Sequence, residues 1–301
     1  MQRAVVAFRV NPHKIALVET ALAIGLWAVS FVFIKVALRE MSPVTLITLR
    51  FGMAALLLAL ISAASGEMKT VYRRGLLRAA LVGAVGITIQ QLMQVKGQVT
   101  AGAGVTAFLS STAPAFIVLL AAIFLHERLH GWKVVGVLLA TLGAGIISTG
   151  GNVSRLAWGE FPDPGSLWVL GSAVMWAIYT ILNRFVVQDQ PPALATHGTM
   201  LIGMVFMLPL FLSNQSWQEL VKLSMAGWAS IGYVGVFGTA GAYWLYSRAL
   251  KRSTASSLAA VQNIEPLVAV AAAALIINEP VTTALLVGGV AILVGVYLAE
   301  R

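Results

Sequence analysis

Apolar runs of about 20 residues follow one another along this chain, separated by short polar loops. That length matches the hydrocarbon thickness of a bilayer. Lipid offers nothing for a backbone amide or carbonyl to bond, so a chain built this way must form helices that satisfy their own backbone. Ten candidate spans are predicted: 15–38, 43–64, 76–98, 101–125, 132–150, 166–187, 193–213, 224–247, 254–277 and 282–299. The third and fourth are divided at Thr100–Ala101–Gly102, because a single helix over 76–125 would be about 75 Å long at about 1.5 Å per residue. Of the 301 residues 59% are hydrophobic and 10% charged, too few charges for a water-facing shell. The predicted class is an all-α polytopic membrane protein.

The net charge of +9 does not imply a nucleic-acid partner, because the basic residues fall in loops beside apolar runs, where anionic lipid headgroups lie. Arg3, Arg9 and Lys14 precede an apolar run too long for a cleaved leader, so Ile15–Leu38 is read as a retained first span. With the N-terminus in the cytoplasm, the loops carrying Lys69, Arg73, Arg74, Arg78, Arg128, Lys133, Arg184, Arg248, Lys251 and Arg252 share that side. Only Arg39, Lys96, Arg155 and Lys222 fall opposite. The bias puts both termini in the cytoplasm. The chain lacks cysteine, which excludes disulfides and thiolate metal sites.

Internal repetition divides the chain. Ala101–Glu127 and Thr254–Glu279 share one order: small residues, a central proline, an apolar run and a closing glutamate. Pro114 and Glu127 align with Pro266 and Glu279 at an offset of 152, and Gly136 and Gly143 then fall on Gly288 and Gly295. Trp27–Lys35 similarly matches Trp176–Arg184 at an offset of 149. Five spans per half is an odd number, so residues 1–150 and 151–301 are expected to be inverted repeats, a ground plan of secondary transporters.

Polar residues inside spans are costly unless they pair or line a cavity. Gln90 and Gln94 share a helix face in the third span. Ser110 and Ser111 precede Pro114, and their repeat mates Gln262 and Asn263 precede Glu265–Pro266. The two prolines are expected to kink their helices and free nearby carbonyls, either lining a cavity or improving packing. Glu265 is a candidate for proton coupling or for binding a substrate amine. A structural hydrogen bond, or a pair with Lys35 or Arg50, would explain it equally. Trp27, Trp176, Tyr179 and Tyr243 lie deeper than interfacial aromatics and either contact a substrate or pack the core. His197 is a candidate lining residue. The glycines of spans five and ten suit a scaffold or a dimer face. Glu127 and Glu279 close the fourth and ninth spans, and Glu127, with Arg128 beside it, reads as a loop or cap contact, with a gate as the other reading. His126 and His130 lack the order of a metalloprotease helix, and no phosphate-binding loop sequence occurs, so no metal, cofactor or enzyme activity is expected.

The motifs WAVSF at Trp27, WAIYT at Trp176, Pro114…Glu127 and Glu265–Pro266…Glu279 resemble those of the drug/metabolite transporter superfamily, in particular ten-span bacterial exporters of the EamA-domain type. WAIYT departs from the family pattern. The resemblance implies a multi-pass protein of the bacterial inner membrane, with spans one, three, four, six, eight and nine around a central cavity and spans five and ten outside it. It implies a small-molecule substrate and a monomer or homodimer among membrane lipids. Amides, hydroxyls and aromatics at the centre favour export of neutral or aromatic amino acids by alternating access. A proton-coupled multidrug or organic-cation exporter and a non-transporting membrane partner are the alternatives.

Overall fold

The computed structural model describes residues 12–64, 82–124, 131–152, 154, 163–187, 192–252 and 261–300. Glu127, His126 and His130 lie outside them, as do Arg128, Arg155, the basic residues of 65–81 and the small-residue opening of 254–260.

Every regular element among the described residues is helical. α1 (Pro12–Ala37) and α2 (Pro43–Ala64) are followed by a π-helical segment, π1 (Gly83–Ile89), that runs straight into α3 (Gln90–Gln98). Next come α4 (Ala103–Ser110), α5 (Ala113–Phe124) and α6 (Gly131–Ser148). The second half runs α7 (Pro164–Val187), α8 (Pro192–Ser213), the short α9 (Trp217–Leu220), α10 (Met225–Gly232), a second π segment π2 (Tyr233–Gly241), α11 (Ala242–Arg252), α12 (Glu265–Ile277) and α13 (Thr283–Glu300). Four of the long helices open on proline, where a missing amide hydrogen leaves no intrahelical bond unmade. Five described stretches are long and apolar enough to cross a membrane by length and composition: His13–Ala37, Pro43–Ala64, Ala103–Leu120, Gly131–Ser148 and Thr196–Ser213.

The prolines of the repeat do not kink continuous helices. The fourth apolar run is two helices, broken at Ser111–Thr112, with Pro114 second in α5. The ninth run is broken at Asn263–Ile264, with Pro266 second in α12. A proline in a first turn costs no backbone bond, whereas in a helix interior it costs about 3 kcal/mol. The Ser111 and Thr112 hydroxyls donate to the Phe108 and Leu109 carbonyls, each at 2.7 Å, so side chains occupy carbonyls that were expected to face a cavity unpaired.

The π segments were not anticipated. Both are glycine-rich, and each contains a threonine whose hydroxyl donates to the carbonyl five residues back. Thr88 reaches Gly83 at 3.0 Å and Thr239 reaches Val234 at 2.7 Å. Extended π turns are rare and mark functional sites more often than ordinary helix does.

α6 and α13 are packed backbone to backbone. A Cβ on Gly143 would lie 2.5 Å from the Gly288 carbonyl oxygen, and one on Gly288 would lie 2.7 Å from that of Gly143. Gly136 faces Gly295 and Ala299 in the same way. The glycine faces therefore join the two halves of one chain. Around them pack Ala140, Ala144, Ile147, Leu285, Ile292 and Val296. The outward faces carry exposed Leu138, Leu142, Val290 and Val294, as lipid-facing helices do.

Reciprocal acid contacts hold the turn after α1. The Ser224 amide and hydroxyl donate to Glu40, each at 2.7 Å, while the Ser42 amide donates to Glu219 at 2.8 Å. Ser224 also caps α10, accepting from Gly227 at 3.2 Å. The Ser224 hydroxyl and then its amide hold the Glu40 carboxyl below its usual range. With a depressed folded value, the contact is complete above the ordinary carboxylate pKa and is lost as pH falls through the folded one. Hydrogen exchange at Ser224, corrected for intrinsic rate, is therefore expected to quicken on acidification in the wild type. In Glu40→Gln, whose carboxamide keeps one acceptor but does not titrate, it should show no such acid step. An acid step of undiminished size in Glu40→Gln would refute the contact.

Candidate functional site: a central cavity

A cavity of about 570 Å³ lies among the helices, within the size range of small-molecule sites. α1 contributes Trp27, Ser30, Phe31 and Ile34, and the π1–α3 rod contributes Ile87, Gln90, Gln91 and Gln94. Ser110, Ser111 and Pro114 line it at the break between α4 and α5; Gln262, Asn263 and Glu265 line it at the break before α12. α7 supplies Ser172, Ala173, Trp176 and Tyr179, and α11 supplies Tyr243, Tyr246 and Ser247. The structure thus gathers Trp27, Gln90, Gln94, Ser110, Trp176, Tyr179, Tyr243, Gln262, Asn263 and Glu265 around one space. Pro114 borders it and Pro266 does not. α6 and α13 add no lining residue among those described.

The cavity also draws on helices outside the expected set: α2 contributes Arg50, and α8 contributes Thr196, Thr199 and Met200. His197 does not line it; its Nδ1 lies 2.8 Å from the Ala55 carbonyl on α2. Lys96 is also elsewhere, with its ammonium 4.1 Å from the centroid of the Trp168 ring.

Aromatic rings form one connected wall. Trp27 meets Tyr243 edge-on at 5.1 Å between centroids and Tyr246 at 5.3 Å. Trp176 meets Tyr179 at 5.1 Å and Tyr243 at 6.5 Å. Both repeat-related tryptophans therefore converge on Tyr243, at separations where edge-to-face attraction operates.

The polar wall is less saturated. Gln90 donates to Gln94 at 3.3 Å, yet Gln90 Oε1, Ser110 Oγ and Trp27 Nε1 are buried with no protein hydrogen-bond partner. Buried polar atoms are ordinarily paired, and these three belong to residues that line the cavity.

Neither cationic partner considered for Glu265 is used. The Lys35 ammonium instead donates to the carbonyls of Gln98, Val99 and Ala101 at 2.9, 3.0 and 2.7 Å. Arg50 donates to Thr239 and Gln91. Nor is Glu265 mid-helix. It is the first residue of α12, at the helix N-terminus.

Glu279 serves a helix N-terminus. Its carboxylate accepts from the amides of Ala103 at 2.8 Å and Gly104 at 3.0 Å, which open α4.

Known proteins align with nearly the whole chain. An uncharacterized transporter of Archaeoglobus fulgidus is 29% identical over 283 residues, covering 93% of this chain and 97% of that one. A protein of Streptantibioticus cattleyicolor named "Probable terminal-alkyne amino-acid exporter" is 29% identical, covering 93% and 91%. One of Escherichia coli named "Probable amino-acid metabolite efflux pump" is 25% identical, covering 92% of each. A solved crystal structure superposes with a TM-score of 0.64 over 94% of this chain and 96% of its own at 19% identity, a likeness of fold. The EamA-like transporter model matches residues 15–149 and again 163–300, and proteins of that kind are transporters, not enzymes. A small-molecule carrier of the membrane, this chain belongs to the EamA-like transporter family.

Proposed function

We propose that the chain exports neutral or aromatic amino acids by alternating access, through ten spans arranged as inverted repeats of residues 1–150 and 151–301. The observation that carries this reading is the central cavity, lined from both halves at matching helix breaks. The paired π segments support the symmetry, since Thr88 and Thr239 make the same five-residue bond in each half. Discontinuous helices that meet at a repeat interface are where secondary transporters bind their solutes. The wall of Trp27, Trp176, Tyr179 and Tyr243 suits an apolar side chain. Gln90, Gln94, Ser110, Gln262 and Asn263 suit the polar end, with Glu265 available to an ammonium or a proton. The names of the Streptantibioticus and Escherichia relatives lend support to amino-acid cargo. The protein would sit in the inner membrane with both termini in the cytoplasm, as a monomer or homodimer.

Sealed liposomes carrying the purified protein, loaded with the twenty amino acids, test this directly. Selective efflux of a few neutral or aromatic ones is expected, and an imposed pH gradient reports proton coupling. Trp27→Ala should raise the half-saturating concentration of the transported amino acid about tenfold, from lost ring contact. Efflux of organic cations alone would replace this reading with a multidrug exporter. Passage of neither class would remove transport of these solutes.

A further inference from the structure

The strongest unexplained group in the cavity is Arg50. It is 3% exposed, lies within a membrane-crossing stretch and lines the cavity. Its Nε donates to Thr239 Oγ1 at 3.0 Å and its Nη1 to Gln91 Oε1 at 2.9 Å. Both acceptors are neutral, and no carboxylate pairs with Arg50 among the described residues. Glu265 borders the same space without forming that ion pair. Among the described residues Nη2 has no protein acceptor.

A guanidinium so placed is expensive. Buried charges are normally paired, and intramembrane cations mark solute paths. Arg50 is also held in orientation. Thr239 is fixed by its own bond to the Val234 carbonyl at 2.7 Å, across the wide turn of π2. The hydroxyl proton is thereby committed, leaving an oxygen lone pair for Nε. Gln91 fixes a second edge. The guanidinium plane is set from two sides while its remaining edge is left to the cavity, and a planar fork of this kind matches a carboxylate.

We propose that Arg50 is the carboxylate anchor of the transport site, so that the cavity selects carboxylate-bearing solutes and rejects simple cations. This assignment rests on the reading of the cavity as a carrier site and extends it to a specificity-determining residue. Thr239 and Gln91 are positioning residues that act through Arg50.

Four matched compounds separate the possibilities: phenylalanine, 3-phenylpropionate, phenethylamine and phenylalanine methyl ester. Binding to the full-length protein in detergent is followed by tryptophan fluorescence, since Trp27 and Trp176 face the cavity. The wild type should bind the two carboxylates at least about tenfold more tightly than the amine or the ester, and Arg50→Gln should weaken carboxylate binding about 10- to 100-fold while changing amine binding less than about threefold. Arg50→Lys keeps the charge but loses the fork, and should fall between them. A thermal melt establishes that each variant is folded. If Arg50→Gln fails it, Arg50→Lys and the wild-type series decide alone. Equal or tighter binding of phenethylamine by the wild type overturns the anchor, as does a folded Arg50→Gln that keeps carboxylate binding. Binding of none of the four by the wild type overturns it too. Carboxylate-selective binding without efflux from liposomes leaves the anchor standing and removes the transport reading.

Discussion

Gly143→Val is expected to remove most of the folded protein from membranes, because the first added carbon has nowhere to go. It would lie 2.5 Å from the Gly288 carbonyl oxygen and 2.9 Å from the Ile292 amide nitrogen. Both are backbone atoms of a regular helix and cannot rotate aside. The helices must separate, and with them the packing of Ala140, Ala144, Ile147 and Ile292 that depends on their approach. Overpacking costs about 1–3 kcal/mol in ordinary cores and more where backbone must yield. In lipid no hydrophobic drive between helices compensates, since packing itself supplies the association energy. Gly25→Ala is the matched control: nothing lies within 4 Å of its added carbon, and the helical interior gains about 0.5–1 kcal/mol from the change. Thermal melts followed by size-exclusion chromatography compare the two. A Gly143→Val protein that melts like the wild type would refute the close contact.

The second large effect belongs to Glu279→Ala. Asn278 adopts a left-handed conformation with φ of 53°, which asparagine tolerates better than most residues. The chain reverses there, and the Glu279 amide donates to the Ala273 carbonyl at 3.1 Å. That turn aims the carboxylate at the opening of α4, where it packs against Gly102 in the space a side chain would fill. Removing it leaves two N-terminal amides without their acceptor. A loss of about 2 kcal/mol is expected, below the roughly 3–6 kcal/mol of two full-strength charge-assisted bonds because the group is only half-buried. Amide exchange at Ala103 and Gly104 should accelerate with the loss. Glu279→Gln should recover part of it, since a carboxamide oxygen still accepts. Unchanged exchange in Glu279→Ala would show that the cap does not hold the helix.

Helix positions were legible because apolar length is a direct consequence of membrane thickness: 43–64 corresponds to the described α2, and 132–150 falls within two residues of α6. The polar lining was legible for the same energetic reason, since amides and hydroxyls do not sit in lipid without cause. The helix interruptions were hidden because proline reads as a kink wherever its neighbours are apolar. Only the chain path reveals that Pro114 and Pro266 each fall in a first turn, where they disrupt nothing. The π segments were hidden because their signal is a hydroxyl reaching five residues back, and a sequence displays the threonine without its bond. Arg50 was noticed only as a partner for Glu265. A lone cation within a span is by itself a reason to look for a solute path, and that signal was present at the outset.

The glycine contact between α6 and α13 also bears on how the molecule is made. One of its sides, α6, leaves the ribosome well before the other, with α7 to α12 made in between. Throughout that interval Gly136, Ala140 and Gly143 stand without the helix they are shaped for. In water such a waiting surface would invite aggregation. In a bilayer the acyl chains cover it nearly as well as protein does, so the delay costs little. The surface of closest fit is thus one that can wait, and the two helices lock together only when α13 arrives.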